Sequence, residues 1–187
     1  MQKVIISGAS SGLGFNLAKK LSKDHYIICF ARKHNILKKY FSNNKNVETY
    51  KVDLSNLKNL EKFLKKIVKK HPDISVIINN AAQLGSNPIN KIKINKLIEI
   101  YNVNILSNIL IIKYIMPYMK KNKFGRIVNI TSGAPLNNDK YFSLYSSTKA
   151  SLNSFTMTAS KEVGTKDIKI NLLSPGPINT NMKIQIE

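Results

Sequence analysis

Short apolar runs alternate along the chain with longer stretches whose apolar residues recur every three or four positions. KVIIS at Lys3–Ser7 is the first buried-strand candidate, and residues 13–22 follow with Leu13, Leu17, Ala18 and Leu21 at helical spacing. YIICFA at Tyr26–Ala31 reads as a second strand, residues 36–41 as a short helix, residues 43–46 as a turn and residues 47–52 (VETYKV) as a third strand. Ser55 is positioned to cap a helix running to about residue 70, with Leu57, Leu60, Phe63, Leu64, Ile67 and Val68 as its inward stripe. Residues 74–78 (ISVII) predict strand four and residues 83–90 a loop. A long helical pattern then covers 94–120, bent or shortened near its end by Pro117. Residues 126–130 predict strand five, 133–140 a loop, Ser143–Val163 a helix and Ile168–Leu173 strand six, before Pro175 and Gly176 break the pattern.

Strands interleaved with helices make a βαβ series, and right-handed crossovers turn such a series into a parallel sheet. The strands are continuous apolar runs, as a sheet covered on both faces requires. The expected fold class is α/β: a doubly wound parallel sheet of about six strands with helices on both faces. No repeat, low-complexity tract or linker divides the chain, so residues 1–187 are expected to form one domain.

Composition narrows the function classes. With 43% hydrophobic and 21% charged residues, a disordered or fibrous chain is excluded. Cys29 is the lone cysteine, which excludes an intrachain disulfide and a cysteine metal cage, and its place inside a strand reads as core packing. His25, His34 and His71 show no metal-ligand spacing, so no metal is expected. No uninterrupted apolar run approaches the length of a membrane span, and MQKVIISGAS is too polar for a signal-peptide core. A reducing cytoplasm is the expected compartment.

Charge is the strongest bias: 30 Lys+Arg against 10 Asp+Glu give +20, with a pI near 10.0. Such a field attracts nucleic acid, anionic membranes or phosphorylated ligands. Yet only Arg32 and Arg126 are arginines, and the lysines are spread from Lys3 to Lys183. Their densest cluster, Lys62, Lys65, Lys66, Lys69 and Lys70, lies on one helical segment and reads as a solvated face. No specific nucleic-acid partner and no membrane partner are expected, only nonspecific polyanion binding at low salt.

The first strand runs directly into SGASSGLG, residues 7–14, and then a helix. Gly8 permits a tight turn, Gly12 lets backbone approach a pyrophosphate and Gly14 lets helix and sheet pack closely. Ser10, Ser11 and Leu13 complete the loop. The helix amino terminus offers unpaired N–H groups and partial positive charge to phosphates. Placement between a strand and an amphipathic helix makes this a dinucleotide-binding candidate in a Rossmann-like sheet.

The G-x-x-x-G-x-G spacing resembles the single-domain members of the short-chain dehydrogenase/reductase family, which carry T-G-x-x-x-G-x-G here. Ser7 replaces the Thr and keeps a hydroxyl. Further marks of that family follow in order. Asp53, followed by Leu54, matches the acidic residue that contacts adenine. Asn79, Asn80, Ala81 and Ala82 match N-N-A-G, with Ala82 in place of Gly. Asn104 in YNVNILSN matches the helix asparagine, Ser132 in GRIVNITSG the serine, and YSSTK at residues 145–149 the Y-x-x-x-K pair. Pro175, Gly176, Ile178 and Thr180 match the P-G-x-x-x-T stretch at the nicotinamide. The resemblance spans essentially the whole chain.

Tyr145 and Lys149 stand four apart on a predicted helix and so share a face. A nearby ammonium is expected to lower the phenol's pKa, fitting Tyr145 to exchange a proton near neutral pH. Ser132 is expected at the end of strand five, in the carboxyl-end crevice where open α/β sheets bind ligands, with its hydroxyl toward a substrate carbonyl. The resemblance implies that Lys149 holds the nicotinamide ribose and that Asn104 maintains a water relay from Lys149 to solvent. Taken singly, each mark has a plainer explanation: a chance Tyr/Lys pair, a loop hydroxyl, a turn asparagine, a satisfied buried amide. Thr131 competes with Ser132, but strand alternation points it the other way. Their joint order is what implies catalysis.

The residue ending strand two faces the adenosine ribose in dinucleotide folds, where a carboxylate selects the 2′-hydroxyl. Here Ala31 is followed by Arg32 and Lys33, and a guanidinium binds phosphate bidentately. NADP(H) is therefore expected over NAD(H). The function implied is hydride transfer between nicotinamide and a small-molecule carbonyl or alcohol. The alternatives are a shortened relative that binds dinucleotide without catalysis, and a basic nucleic-acid binder. The chain ends eleven residues after Gly176, where family members usually continue into a substrate loop and a seventh strand, so strand six is expected as an edge. The resemblance also implies a homodimer through the helices at 94–120 and Ser143–Val163.

Overall fold

A computed structural model describes residues 1–163 and 167–176. Its strands are β1 (Lys3–Ser7), β2 (Tyr26–Ala31), β3 (Val47–Lys51), β4 (Ile74–Asn79), β5 (Gly125–Ile130) and β6 (Ile168–Leu173). Its helices are α1 (Gly12–Leu21), α2 (His34–Phe41), α3 (Leu57–Lys70), α4 (Ile94–Tyr101), α5 (Ser107–Lys121), α6 (Ala134–Asn137) and α7 (Ser143–Val163). All strand pairs are parallel, in the order β3-β2-β1-β4-β5-β6. The doubly wound parallel sheet expected from the apolar runs is what forms.

Successive strand residues face opposite sides, so each apolar run feeds two cores. Ile5, Ile28 and Phe30 join α3, α5 and α7 on one face, through Leu60, Leu64, Ile111, Ile115 and Ala159. Val4, Ile6, Ile27 and Cys29 join α1 and α2 on the other, through Ala18, Leu37 and Phe41. Burial pushes the Cys29 thiol up to about 12, leaving it a packing group. The lysine cluster of α3 lies outside, with Lys62, Lys65, Lys66, Lys69 and Lys70 all exposed.

Several boundaries differ from expectation for local reasons. Asn56, not Ser55, caps α3, its side chain accepting from the Asn59 N–H at 3.0 Å. Ser55 instead donates its hydroxyl and backbone N–H to Asp53 Oδ1, at 2.7 and 2.9 Å. The helical pattern at 94–120 breaks not at Pro117 but at a π-helical turn, Asn102–Leu106. Pro117 sits inside α5 on an exposed face, where the carbonyl it leaves unpaired is close to water. Short helical turns form at Ile89–Lys91 and α6, within segments expected as loops. Taken as one rod, Ile94–Lys121 is long and apolar enough to cross a membrane by length and composition, although charged residues such as Lys96, Glu99 and Lys113 interrupt its apolar run. Half of its apolar window is buried inside the protein, as in a core helix.

At the amino end of the sheet one carboxylate joins three elements. Glu48 accepts from Tyr26 Oη at 2.8 Å, Tyr50 Oη at 2.5 Å and Lys70 Nζ at 2.9 Å, with His71 Nε2 at 3.1 Å. Burial alone would raise its pKa. The hydrogen bonds from Tyr50, Lys70, Tyr26 and His71 outweigh that and bring it down to about 2. A carboxylate with a depressed folded pKa contributes stability that is full above its unfolded value and lost as pH falls through the folded one. Glu48→Ala should cost about 2 kcal/mol in urea unfolding at pH 7. The gap between wild type and variant should close as pH falls from about 4.5 toward about 2; a gap unchanged across that range would contradict the assignment.

Candidate active site

β1 enters its loop through Gly8 at φ +67°, and Gly12 opens α1 at φ +56°. A Cβ on Gly8 would lie 2.7 Å from the Ala81 Cα, and one on Gly14 would lie 2.4 Å from Asn80 Nδ2. The loop is thus pressed against the segment leaving β4. Ser7, 1% exposed, turns its hydroxyl there and accepts from the N–H groups of Asn80 and Ala81, each at 3.0 Å. Asn80 Nδ2 returns bonds to the Ser7 and Gly8 carbonyls, at 3.0 and 3.2 Å. Among the described residues no side chain caps α1, and its first turn holds no acidic residue, so its amino-terminal N–H groups and dipole stay available to an anion.

The second group of candidates lies at the carboxyl end of β5 and on α7. Tyr145 is 8% and Lys149 1% exposed, and Lys149 Nζ sits 5.7 Å from the Tyr145 ring centroid. Lys149 Nζ donates to the Ile130 carbonyl at 2.9 Å. Ser132, two residues beyond that carbonyl, hydrogen-bonds Tyr145 and accepts from the Ala134 N–H at 3.1 Å. Thr131 points away, donating to Asn153 Oδ1 at 2.5 Å. The structure brings Ser132, Tyr145 and Lys149 together.

The proton energetics correct one expectation. Burial raises the Tyr145 phenol above its ordinary value, and the Ser132 hydrogen bond offsets only part of this. Burial acts on the amine as well, bringing Lys149 down to about 8, so it remains mostly protonated at neutrality and titrates just above it. The phenol is therefore held in its neutral, proton-donating form.

Asn104, fully buried in the π-helical turn, accepts from the Gln83 N–H at 2.7 Å and donates to the Gln83 carbonyl and Thr148 Oγ1, both at 3.0 Å. Its hydrogen bonds reach the loop after β4 and α7, not the amine. Two buried acceptors nearby, Gln83 Oε1 and Asn108 Oδ1, lack a hydrogen-bond partner among the described residues. Neither Gln83 nor Thr148 stood out in sequence, although each lies within or beside a family motif.

At the far end of the crevice, Arg32 and Lys33 are exposed after β2, and Asp53 is exposed while Leu54 is buried. Arg32 is not free: its Nη1 lies 3.4 Å from Glu99 Oε1. Glu99 carried no sequence signal. Pro175 and Gly176 follow β6, beside the β5 exit. Ile178 and Thr180 lie outside the described residues.

Comparison with known proteins gives this geometry its family. The profile for short chain dehydrogenases matches residues 2–187. The chain belongs to that family. It is 33% identical to a benzil reductase ((S)-benzoin forming) of Bacillus cereus, over all of this chain and 79% of the relative. It is 30% identical to a diacetyl reductase [(S)-acetoin forming] of Staphylococcus epidermidis, over 98% of this chain and 74% of the relative. A solved structure, ElxO with NADP bound, superposes with a TM-score of 0.86 at 32% identity, covering 96% of this chain and 75% of that one. As a short-chain dehydrogenase/reductase the chain is an NAD(P)-dependent oxidoreductase. The uncapped, acid-free amino terminus of α1, entered through the glycine loop, fits a nicotinamide dinucleotide.

The buried amine should cost the fold stability. A basic group whose folded pKa is about 8 against an ordinary 10.5 contributes fully only above the latter, and its contribution is lost as pH falls to about 8. Lys149→Met should stabilise the protein by about 1–2 kcal/mol at pH 7, after about 1 kcal/mol is subtracted for the Ile130 carbonyl left unpaired. Chemical denaturation should show the advantage shrinking as pH rises toward 10; a variant less stable at pH 7 would contradict this reading.

Proposed function

We propose that this chain is an NADP(H)-dependent reductase of small uncharged ketones, running reversibly as an alcohol dehydrogenase. The observation that carries it is the meeting of a neutral buried phenol, a serine hydroxyl and a buried amine at the carboxyl end of β5. A bound nicotinamide supplies the hydride in reduction and accepts it in oxidation. Ser132 binds the substrate oxygen and Tyr145 gives it a proton. Lys149 holds the ribose and, with a pKa near 8, returns a proton toward Tyr145. Asn104 acts by position, fastening the Gln83 segment to α7 through Thr148.

Gly8, Ser10, Ser11, Gly12, Leu13 and Gly14 cradle the pyrophosphate. Asp53 and Leu54 border the adenine. Asn80 and Ala81 shape the crevice floor, with Pro175 and Gly176 at the nicotinamide end; Ile178 and Thr180 are assigned there by family pattern. Arg32, with Lys33 beside it, takes the 2′-phosphate. The ketone class draws on the benzil and diacetyl named for two relatives, and on an apolar rim. Phe142 stands edge-on to Tyr145 at 6.3 Å and Leu136 is 84% exposed. The lone buried Cys29 suits a reducing cytoplasm.

Purified protein should oxidise NADPH faster than NADH with benzil or diacetyl, and Tyr145→Phe should lose about 100- to 10,000-fold in kcat while keeping NADPH affinity. Equal use of both cofactors would sink the NADP(H) assignment, and activity surviving in the variant would sink the proton-donor assignment.

A homodimer through α4, α5 and α7 completes the proposal. α4, the π-helical turn before α5, and α7 leave Ile98, Leu106 and Met157 exposed, at 49%, 40% and 61%. Sedimentation velocity should find a dimer at micromolar concentration that Met157→Lys shifts toward monomer; a monomeric wild type would rule this out.

A further inference from the structure

Arg32 leaves β2 already engaged. Its partner Glu99 lies on α4, in the segment that follows β4, and β1 stands between β2 and β4 in the sheet. The ion pair therefore spans the crevice over the exit of β1, where the glycine loop begins. The carboxylate is also held from its own side. Lys96 Nζ lies 3.2 Å from Oε2, and the Gln83 side chain hydrogen-bonds it as well. Burial would raise this carboxyl's pKa, but the hydrogen bonds of Lys96 and Gln83 and the charges of Lys96 and Arg32 bring it below the ordinary value, so Glu99 is ionised at neutral pH. Releasing Arg32 would remove one of its partners and leave the others in place.

In dinucleotide folds a carboxylate at the end of β2 favours a ribose hydroxyl and repels a 2′-phosphate. β2 ends here on Ala31, and the carboxylate that meets Arg32, Glu99, arrives from another element. We propose that Glu99 is a specificity-determining residue: it occupies Arg32 in the free protein, competes with the 2′-phosphate for the guanidinium, and so limits the preference for NADP(H) over NAD(H). This rests on the reading of Arg32 as the phosphate contact. Glu99 acts through Arg32 and is thus a positioning residue.

The competition is modest because the Arg32 side chain is 56% exposed. An exposed pair is worth at most about 1 kcal/mol, which is about fivefold in a dissociation constant. The test titrates the full chain with NADPH and with NADH, following nicotinamide fluorescence, for wild type, Glu99→Gln, Arg32→Ala and the double variant. Glu99→Gln should tighten NADPH about fivefold and move NADH by less than about twofold, with the gain fading at high salt. In the Arg32→Ala background Glu99→Gln should change nothing. An unchanged NADPH/NADH ratio in Glu99→Gln, equal shifts for both cofactors, or the same shift without Arg32 would overturn the proposal. The reading of Arg32 fails separately, if Arg32→Ala leaves the NADPH preference of the wild type intact.

Discussion

The hydroxyl of Ser7, accepting from two successive backbone N–H groups beyond β4, is the joint on which the site depends. In the order β3-β2-β1-β4-β5-β6 the chain leaves β1 toward α1 on one face and leaves β4 toward α4 and α5 on the other. The diverging exits open a crevice, as strand-order reversal does in any doubly wound sheet. Diverging exits also strand buried backbone polar groups, which cost free energy unless paired. The Ser7 hydroxyl and the Asn80 amide pair them reciprocally, holding the glycine loop near van der Waals limits against Ala81. Beside this tight joint, the α1 amino terminus carries no side-chain cap among the described residues and stays open to an anion.

A second network holds α7, which carries the phenol and the amine, in register with the sheet. Asn79 Nδ2 donates to Asn129 Oδ1, and Asn129 Nδ2 to Thr156 Oγ1, each at 2.8 Å. Thr131 reaches Asn153, and Asn104 reaches Thr148, whose hydroxyl donates on to the Tyr145 carbonyl. Buried polar pairs of this kind specify one arrangement where an all-apolar interface would tolerate sliding, although Asn79 Oδ1 itself has no partner among the described residues. Lys149 needs that precision, because among the described residues an amine 1% exposed has only the Ile130 carbonyl as its hydrogen-bond acceptor.

The fold was legible because a sheet buried on both faces writes itself as bare apolar runs: Lys3–Ser7, Tyr26–Ala31 and Ile168–Leu173 form at the limits read from sequence. The stretch at 94–120 was misread in one place, since periodicity registers a helix but not the extra residue of a π-helical turn, and Pro117 drew attention that belonged to Asn104. Ser55 and Asn56 are both good caps, and only the competing claim of Asp53 on Ser55 decides between them. In the site, residues in motifs could be found and residues that act through space could not. Gln83, Thr148 and Glu99 gain their roles from partners 21, 44 and 67 positions away. No local pattern encodes such a pairing.

The Tyr145–Lys149 pair shows where sequence logic and burial part company. Four-residue spacing correctly places both groups on one helix face, and an ammonium beside a phenol in water would favour phenolate. Inside the protein the medium acts first: low polarity disfavours charge on either group, raising the phenol and lowering the amine. The free site therefore pairs a neutral phenol with an amine that is still mostly protonated at neutrality but titrates only just above it. In that state the phenol holds a proton it can give up and lies beside an amine that titrates near physiological pH. Generating phenolate requires a further stabilising charge or hydrogen bond in the crevice, because burial alone opposes it.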